Sequence, residues 1–217
     1  MVYFKKNSMS IKESILKVPF AYRIFDSLVG KFGFSRTSLF ARYLPYAPGM
    51  KILDLGCGPG TSAKYFRSID YIGIDIDQSY VHAARKKFSS HTFICDDFLH
   101  IDHSFVPQNG FDLILSMGVF HHLSDHQLSD YLKKAHSVLS SHGRLISFDG
   151  CTYPNQSRAR RKVVLNDRGQ YIRSSDDLIK IITTVGFECC ASIEENVLLI
   201  PHSMLAISSK PTDRLDL

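Results

Sequence analysis

The chain alternates between short apolar runs and longer stretches in which apolar residues recur every third or fourth position. Runs at 51–55, 71–74, 92–95, 111–116 and 144–148 have the length and composition of buried strands. Helical spacing fills the gaps. Residues 61–68 and 78–88, the second behind Asp77 as an N-cap, are expected to be helices. Leu128, Tyr131, Leu132, Ala135, Val138 and Leu139 form one apolar face behind the capping box Ser124 to Gln127, with Gly143 closing the helix. Ser174 caps a last helix that buries Leu178, Ile181, Ile182 and Val185 and stops at Gly186. Strands at 187–192 and 197–208 complete the pattern. Such alternation predicts an α/β fold with a doubly wound sheet.

Helices also precede the first strand. Ser10 to Glu13 is a capping box, and Pro19 ends or interrupts the helix it opens. Tyr22, Phe25, Leu28 and Val29 fall at helical spacing before Gly30, and a further helix at 36–43 ends at Pro45. These helices either cover a sheet edge or form a lid. The whole reads as one domain: a helical segment at 1–46, a core at 47–150, an insert at 151–173, a helix and two strands at 174–209, and a tail at 210–217.

Within the core, residues 54–60 read DLGCGPG, directly after the first strand. A strand, a glycine-rich turn and a helix open many nucleotide-binding α/β domains. A dinucleotide fingerprint starting at Gly56 needs its third glycine at 61, yet position 61 is Thr and the glycine stands at 60. Asp54 argues the same way, because a carboxylate there repels a pyrophosphate and attracts the ammonium and sulfonium of S-adenosylmethionine. No Gly-Lys-Ser/Thr follows, which excludes a Walker loop. Asp75 ends the second strand at about the 20-residue spacing after the glycines expected of a ribose-binding acid. Asp96 and Asp97 end the third, where an acid can accept from the adenine amine.

Together DLGCGPG at 54–60, GIDID at 73–77, CDDF at 95–98 and FDLILSMGVFHHL at 111–123 resemble the class I S-adenosylmethionine-dependent methyltransferase family. The resemblance covers roughly residues 45–150. It implies a Rossmann-like sheet of seven strands, mostly parallel, with the last antiparallel. It also implies a role for each motif. Asp54 and the loop of Gly56, Cys57, Gly58 and Gly60 hold the methionyl part. Asp75 with Ile76 takes the ribose, and Asp96, Asp97 and Phe98 take the adenine. Ser116, Met117 and Gly118 flank the sulfonium. The cofactor is then S-adenosyl-L-methionine and the product S-adenosyl-L-homocysteine. PNQSRARR, NDRGQYIRS and LLIPHS further resemble a set of bacterial members whose acceptor they do not name.

Bulk composition narrows the setting. The chain has 217 residues, 44% hydrophobic and 22% charged, as a soluble globular domain has. It has no apolar run long enough to span a membrane, and no cleaved secretory leader is expected, since Lys12, Glu13 and Lys17 interrupt the first apolar stretch. Five cysteines without metal spacing suit free thiols in a reducing cytoplasm and imply no metal site. The net charge of +5 gathers partly at Arg85 to Lys87 and Arg158 to Lys162. These runs are expected to be solvated helix faces, since no aromatics interleave with them as a nucleic-acid site would require.

The polar stretch from Gly150 to Arg173 is too long for an ordinary connection and follows the fifth strand, where open α/β sheets bind ligands. It is the expected acceptor-recognition segment, with Asp149, Tyr153, Tyr171, Arg173 and, from the last strand, His202 as contacts. Arg173 alternatively pairs with Asp167, Asp176 or Asp177. Methyl transfer from a sulfonium needs mainly proximity, plus a base when the acceptor is protonated. His121 and His122 are the candidate catalytic residues, although for either one alone a structural role is the stronger expectation. The place of an Asn/Asp-Pro-Pro-Tyr/Phe loop holds Ser116 to Val119 instead, which sets aside base-nitrogen methylation. A small or medium acceptor remains, methylated at O, N or C. RNA or another macromolecule, and a non-catalytic S-adenosylmethionine-binding module, are the alternatives.

Overall fold

The computed structural model of the chain describes residues 36–44, 47–67, 69–167, 169–195 and 203–212. The helices expected before residue 31, Arg168 and His202 lie outside the described residues. The elements, in chain order, are α1 (Arg36–Tyr43), β1 (Lys51–Leu55), β2 (Asp70–Asp75), α2 (Gln78–Lys87), β3 (Thr92–Cys95), β4 (Phe111–Met117), α3 (Asp125–Val138), β5 (Leu139–Asp149), α4 (Arg158–Leu165), α5 (Ser175–Thr184), β6 (Phe187–Glu195) and β7 (Ser203–Pro211).

The strands form one seven-stranded sheet in the order β3-β2-β1-β4-β5-β7-β6. β1 to β5 pair in parallel, and β7 runs antiparallel to both β5 and β6. The strand order reverses at β1, so the switch point lies between β1 and β4, at the carboxyl edge where DLGCGPG leaves the sheet. Each face carries its own core. On one side Leu53, Leu55, Ile114 and Leu145 pack with α3 and α5 through Leu128, Leu132, Leu178 and Ile182. On the other, Ile52, Leu113, Leu115 and Phe148 pack with α1 and α2 through Leu39, Phe40, Val81 and Ala84. Residue parity along each strand decides the side, because successive strand residues point to opposite faces.

Local signals act where expected. Asp77 accepts from the amides of Ser79 and Tyr80 at the start of α2. Ser124 and Gln127 form both halves of the capping box of α3, and Ser174 accepts from Asp177 N ahead of α5.

Four expectations need correction. The helix expected at 61–68 is a 3₁₀ turn at Ala63–Tyr65. Ala63 and Phe66, both fully buried, lie three apart, a spacing that the tighter helix aligns on one side. β5 begins at Leu139 rather than 144, and Gly143 sits inside it instead of closing α3. Pairing of Phe111 with Leu139 and of Leu113 with Arg144 leaves an irregularity that takes up the residues between. β6 runs on to Glu195, beyond the expected end at 192, because β7 offers it partners as far as Ser203. β7 in turn reaches Pro211, inside the stretch expected as tail.

The candidate cofactor and acceptor site

The glycine loop is built by backbone that side chains could not follow. Gly56, Gly58 and Gly60 all have positive φ, at 71°, 54° and 74°. At Gly56 a Cβ would also meet Val119 Cγ2 at 2.4 Å, so the loop closes directly against the chain leaving β4. The amides of Gly56 and Cys57 donate to Ile74 O at 2.9 and 3.1 Å, which hangs the loop on the end of β2.

Asp75 completes that attachment. Its Oδ2 accepts from Gly58 N at 2.8 Å and its Oδ1 from Asp77 N at 2.9 Å. Burial pushes its carboxyl above the ordinary range, with the amides of Asp77 and Gly58 pulling the other way. Each oxygen keeps a further lone pair for a ligand hydroxyl. Beside it Ile76 is 77% exposed, an apolar side chain set out in water at the rim. Across the groove Asp96 N donates to Asp75 O at 3.2 Å, which ties the end of β3 to that of β2. Asp96 Oδ1 accepts from Asp97 N, and Asp97 Oδ1 from Leu99 N. Phe98 turns its ring into the core against Tyr131, at 5.0 Å between centroids.

Asp54 lies deeper. Only 2% exposed, it accepts from Tyr71 Oη at 2.5 Å. Desolvation pushes its carboxyl up to about 7, although the Tyr71 hydroxyl and the charge of Arg36 oppose that shift. Tyr71 goes unmarked in the sequence as a site residue. Its signal is the pairing of Ile52 with Tyr71 and Asp54 with Gly73, which puts both polar groups on the α1 face of neighbouring strands. Cys57 is buried in the same loop, and its thiol is pushed far up by that burial. Ser116 is fully buried toward the α3 side, and Met117 Sδ accepts from Arg36 Nε at 3.0 Å. Gly118 N donates to Phe148 O at 2.8 Å, which fixes the turn after β4.

The two histidines separate sharply. His121 is 7% exposed, and its Nδ1 lies 2.5 Å from Asp149 Oδ1. The same carboxylate accepts from the amides of Val119, Phe120 and His121 at 3.1 to 3.3 Å, so it caps the turn that carries the histidines. Four donors on a group that is 1% exposed leave Asp149 structurally committed. His121 Nε2 faces Asp167 at 3.9 Å. His122 is exposed, its ring 4.2 Å from that of His121.

The insert is pinned at both ends. Thr152 N donates to Arg173 O and Ser175 N to Thr152 O. Between them lies α4, capped by Ser157. The segment returning from it runs over the histidine turn, where Tyr171 N donates to His121 O at 3.0 Å. Arg173 is spent there: Nη1 donates to Phe120 O, Nη2 to Leu123 O, and Nε to Asp125 Oδ1. Its partner is therefore Asp125, at the start of α3, and not Asp167, Asp176 or Asp177. Tyr171 is 39% exposed beside it. Tyr153 donates its hydroxyl to Glu195, which Arg160 also approaches at 3.6 Å. On the opposite face Glu194 accepts from Tyr43 and, with both oxygens at 2.9 Å, from Arg42. Consecutive residues of β6 thus hold α1 on one side of the sheet and the insert on the other.

A surface pocket lined by Met50, Asp112, Leu113, His142 and Arg144 lies at the amino edge of the sheet, away from these groups. Among the described residues no cluster of His, Cys, Asp or Glu could hold a metal ion, and no helix is long and apolar enough to cross a membrane.

Comparison with known proteins agrees with this fold. Residues 52–143 match the model of a methyltransferase domain family. The chain is 25% identical over 175 residues to phosphoethanolamine N-methyltransferase 3 of Arabidopsis thaliana, covering 76% of this chain but 34% of that protein. It is also 25% identical over 175 residues to the uncharacterized methyltransferase YodH of Bacillus subtilis (strain 168), covering 79% of this chain and 71% of the other. The chain thus spans about a third of the plant relative and about seven tenths of the bacterial one. Among solved structures, Haemonchus contortus phosphoethanolamine N-methyltransferase 2, in complex with phosphomonomethylethanolamine and S-adenosylhomocysteine, superposes with a TM-score of 0.71 at 14% identity. That likeness covers 97% of this chain and 62% of the other. The family match and these likenesses support a class I S-adenosylmethionine-dependent methyltransferase.

Proposed function

We propose that this chain binds S-adenosylmethionine across the carboxyl ends of β1, β2 and β4 and transfers its methyl group to a small or medium-sized acceptor. The observation that carries the reading is the clasp between Asp75 and the Gly58 amide. It sets a carboxylate with spare lone pairs beside an open glycine turn, with an exposed Ile76 for an aromatic base to cover. Residues fit the cofactor part by part. Asp54 suits an ammonium, Asp75 a ribose diol, Ile76 and the 96–98 backbone an adenine.

When bound, S-adenosylmethionine supplies an electrophilic methyl on a sulfonium. The chain's own task is to hold the acceptor in line with that methyl and to exclude water. An alcohol or phenol acceptor must also lose a proton. His121 is the group placed for that: Asp149 holds Nδ1, which leaves Nε2 as the basic nitrogen. Nε2 faces Asp167 under the 167–171 strap, so an acceptor reaches it only with that strap displaced. Tyr153, at the foot of the insert, is the aromatic wall of the acceptor side, and Tyr171 is its second aromatic.

The test is a melting series with S-adenosylmethionine, S-adenosylhomocysteine, NADH and ATP. Ligand that binds only the native state raises the melting temperature by mass action. Stabilisation by the first two and none comparable by the others is expected. NADH as the strongest stabiliser would overturn the reading. Salt-sensitive retention of RNA would move the acceptor to nucleic acid.

A further inference from the structure

We propose that the acceptor is an amine, bound between His121 and Asp167 and methylated on its nitrogen. The proposal rests on the reading of this site as one for S-adenosylmethionine, and it names the acceptor class which that reading leaves open.

Two hydrogen-bond acceptors face one gap here. Asp149 Oδ1 takes the proton on Nδ1 of His121, so Nε2 presents its lone pair. Asp167 Oδ2 stands 3.9 Å from that nitrogen. The distance is too long for a hydrogen bond between the two, yet it suits a single atom that donates to both. Two bonds of about 2.8 Å from one nitrogen span it at an angle of about 90°. Each then bends only about 10° from a straight N–H···acceptor line. An alkylammonium has two N–H groups to give. A hydroxyl has one, so an alcohol serves either the carboxylate or the imidazole but not both.

Charge and position favour the same choice. Carboxylates stand at both nitrogens of the imidazole, while Arg173 is turned to Asp125 and to the carbonyls of Phe120 and Leu123. The transfer end is adjacent: His121 Cε1 lies 3.7 Å from where a Cβ on Gly118 would stand, in the turn that follows β4. The gap is also enclosed. His121 is buried, Gly169 lies on its ring, and Tyr171 N holds the strap to His121 O. Asp167 is the first residue of that strap, so closing it over a bound amine brings the carboxylate onto the nitrogen.

At neutral pH an alkylamine arrives as its ammonium, with no lone pair to offer a methyl group. Asp167 attracts the positive charge. His121 Nε2 takes one proton, and Asp149 stabilises the imidazolium that forms. The nitrogen lone pair then forms the bond to the methyl carbon as the carbon–sulfur bond breaks. The electron pair of that bond stays on sulfur, which becomes a neutral thioether. The positive charge passes to the methylated ammonium.

The experiment supplies methylamine or methanol, the smallest alkyl amine and alcohol, to the full chain with S-adenosylmethionine. Release of S-adenosylhomocysteine is followed, and its affinity is measured by calorimetry on the same samples. Methylamine should be turned over at least about 100-fold faster than methanol at equal concentration. Asp167→Ala should lower kcat/KM for methylamine by about 10- to 100-fold, with Asp167→Asn and Asp167→Glu between. All three variants should keep S-adenosylhomocysteine affinity within about twofold, since the glycine loop and Asp75 are not touched. Native kcat/KM for methylamine in Asp167→Ala would overturn the proposal. So would equal turnover of methanol, or a chain that binds S-adenosylhomocysteine and leaves methylamine unreacted. Should the Ala variant fail to fold, the Asn and Glu variants carry the same comparison. A native chain that does not bind S-adenosylhomocysteine would instead remove the cofactor reading itself.

Discussion

Gly169 lies so close against His121 that a Cβ on it would stand 2.1 Å from Cδ2 of the imidazole and 2.6 Å from the backbone oxygen. No rotamer change relieves contact with a backbone atom. Gly169→Ala must therefore push the strap off the histidine turn. A cost of about 1–3 kcal/mol is expected from overpacking. Urea unfolding checks this, and a variant as stable as the native chain would mean that the strap lies elsewhere in solution.

Arg173→Ala removes charge-assisted bonds to Phe120 O, Leu123 O and Asp125 from a side chain that is 8% exposed. Stability should fall by about 1.5–3 kcal/mol. Affinity for S-adenosylmethionine should hold, because the glycine loop and Asp75 are not touched. Melting temperature and calorimetric affinity measured on one sample distinguish this from an acceptor clamp, for which stability stays and turnover falls.

Asp75→Ala should weaken S-adenosylmethionine by about 10- to 150-fold, the equivalent of about 1.5–3 kcal/mol for hydrogen bonds to a charged group. It also releases the Gly58 and Asp77 amides, so some loss of stability accompanies it. Calorimetry showing native affinity in a folded variant would contradict the ribose role.

Asp54 predicts a pH effect whose sign is set by burial. Its folded-state carboxyl is pushed up to about 7, while the unfolded chain titrates near the ordinary 3.8. Between those values the native state binds more protons, so this group's contribution to stability falls as pH rises from about 4 to 7. Asp54→Asn should flatten that part of the stability profile and bind S-adenosylmethionine more weakly. Ligand binding near pH 6.5 should release a proton from Asp54 as the ammonium arrives. Calorimetry in buffers of different ionisation enthalpy reads that release, and identical heats in all buffers would refute it.

The strands, the caps and the glycine loop were legible because each depends on neighbours in sequence. β1 and β3 have the bounds that their apolar runs predict, and Ser124 with Gln127 closes its box within one turn. Asp54 and Asp75 could be picked out because a strand end and a turn of set length determine where a carboxylate stands. Where the tight turn at Ala63–Tyr65 replaced a helix, the local pattern allowed both, and burial of Ala63 and Phe66 against the sheet chose.

What the chain alone could not express is which distant groups share one charge. Asp149 and the histidine turn are nearly 30 residues apart, yet the carboxylate meets three amides and an imidazole because β5 runs parallel beside β4. Arg173 reads equally well as a ligand clamp or an ion pair. Only the return of the insert across the start of α3 commits it to Asp125. Arg36 has no motif at all, and packing of α1 on the sheet is what carries its charge to Asp54. Short-range periodicity fixes backbone conformation at the scale of a turn. Burial and pairing of polar groups are settled by the whole sheet, because an ion out of water takes whatever partner the fold delivers.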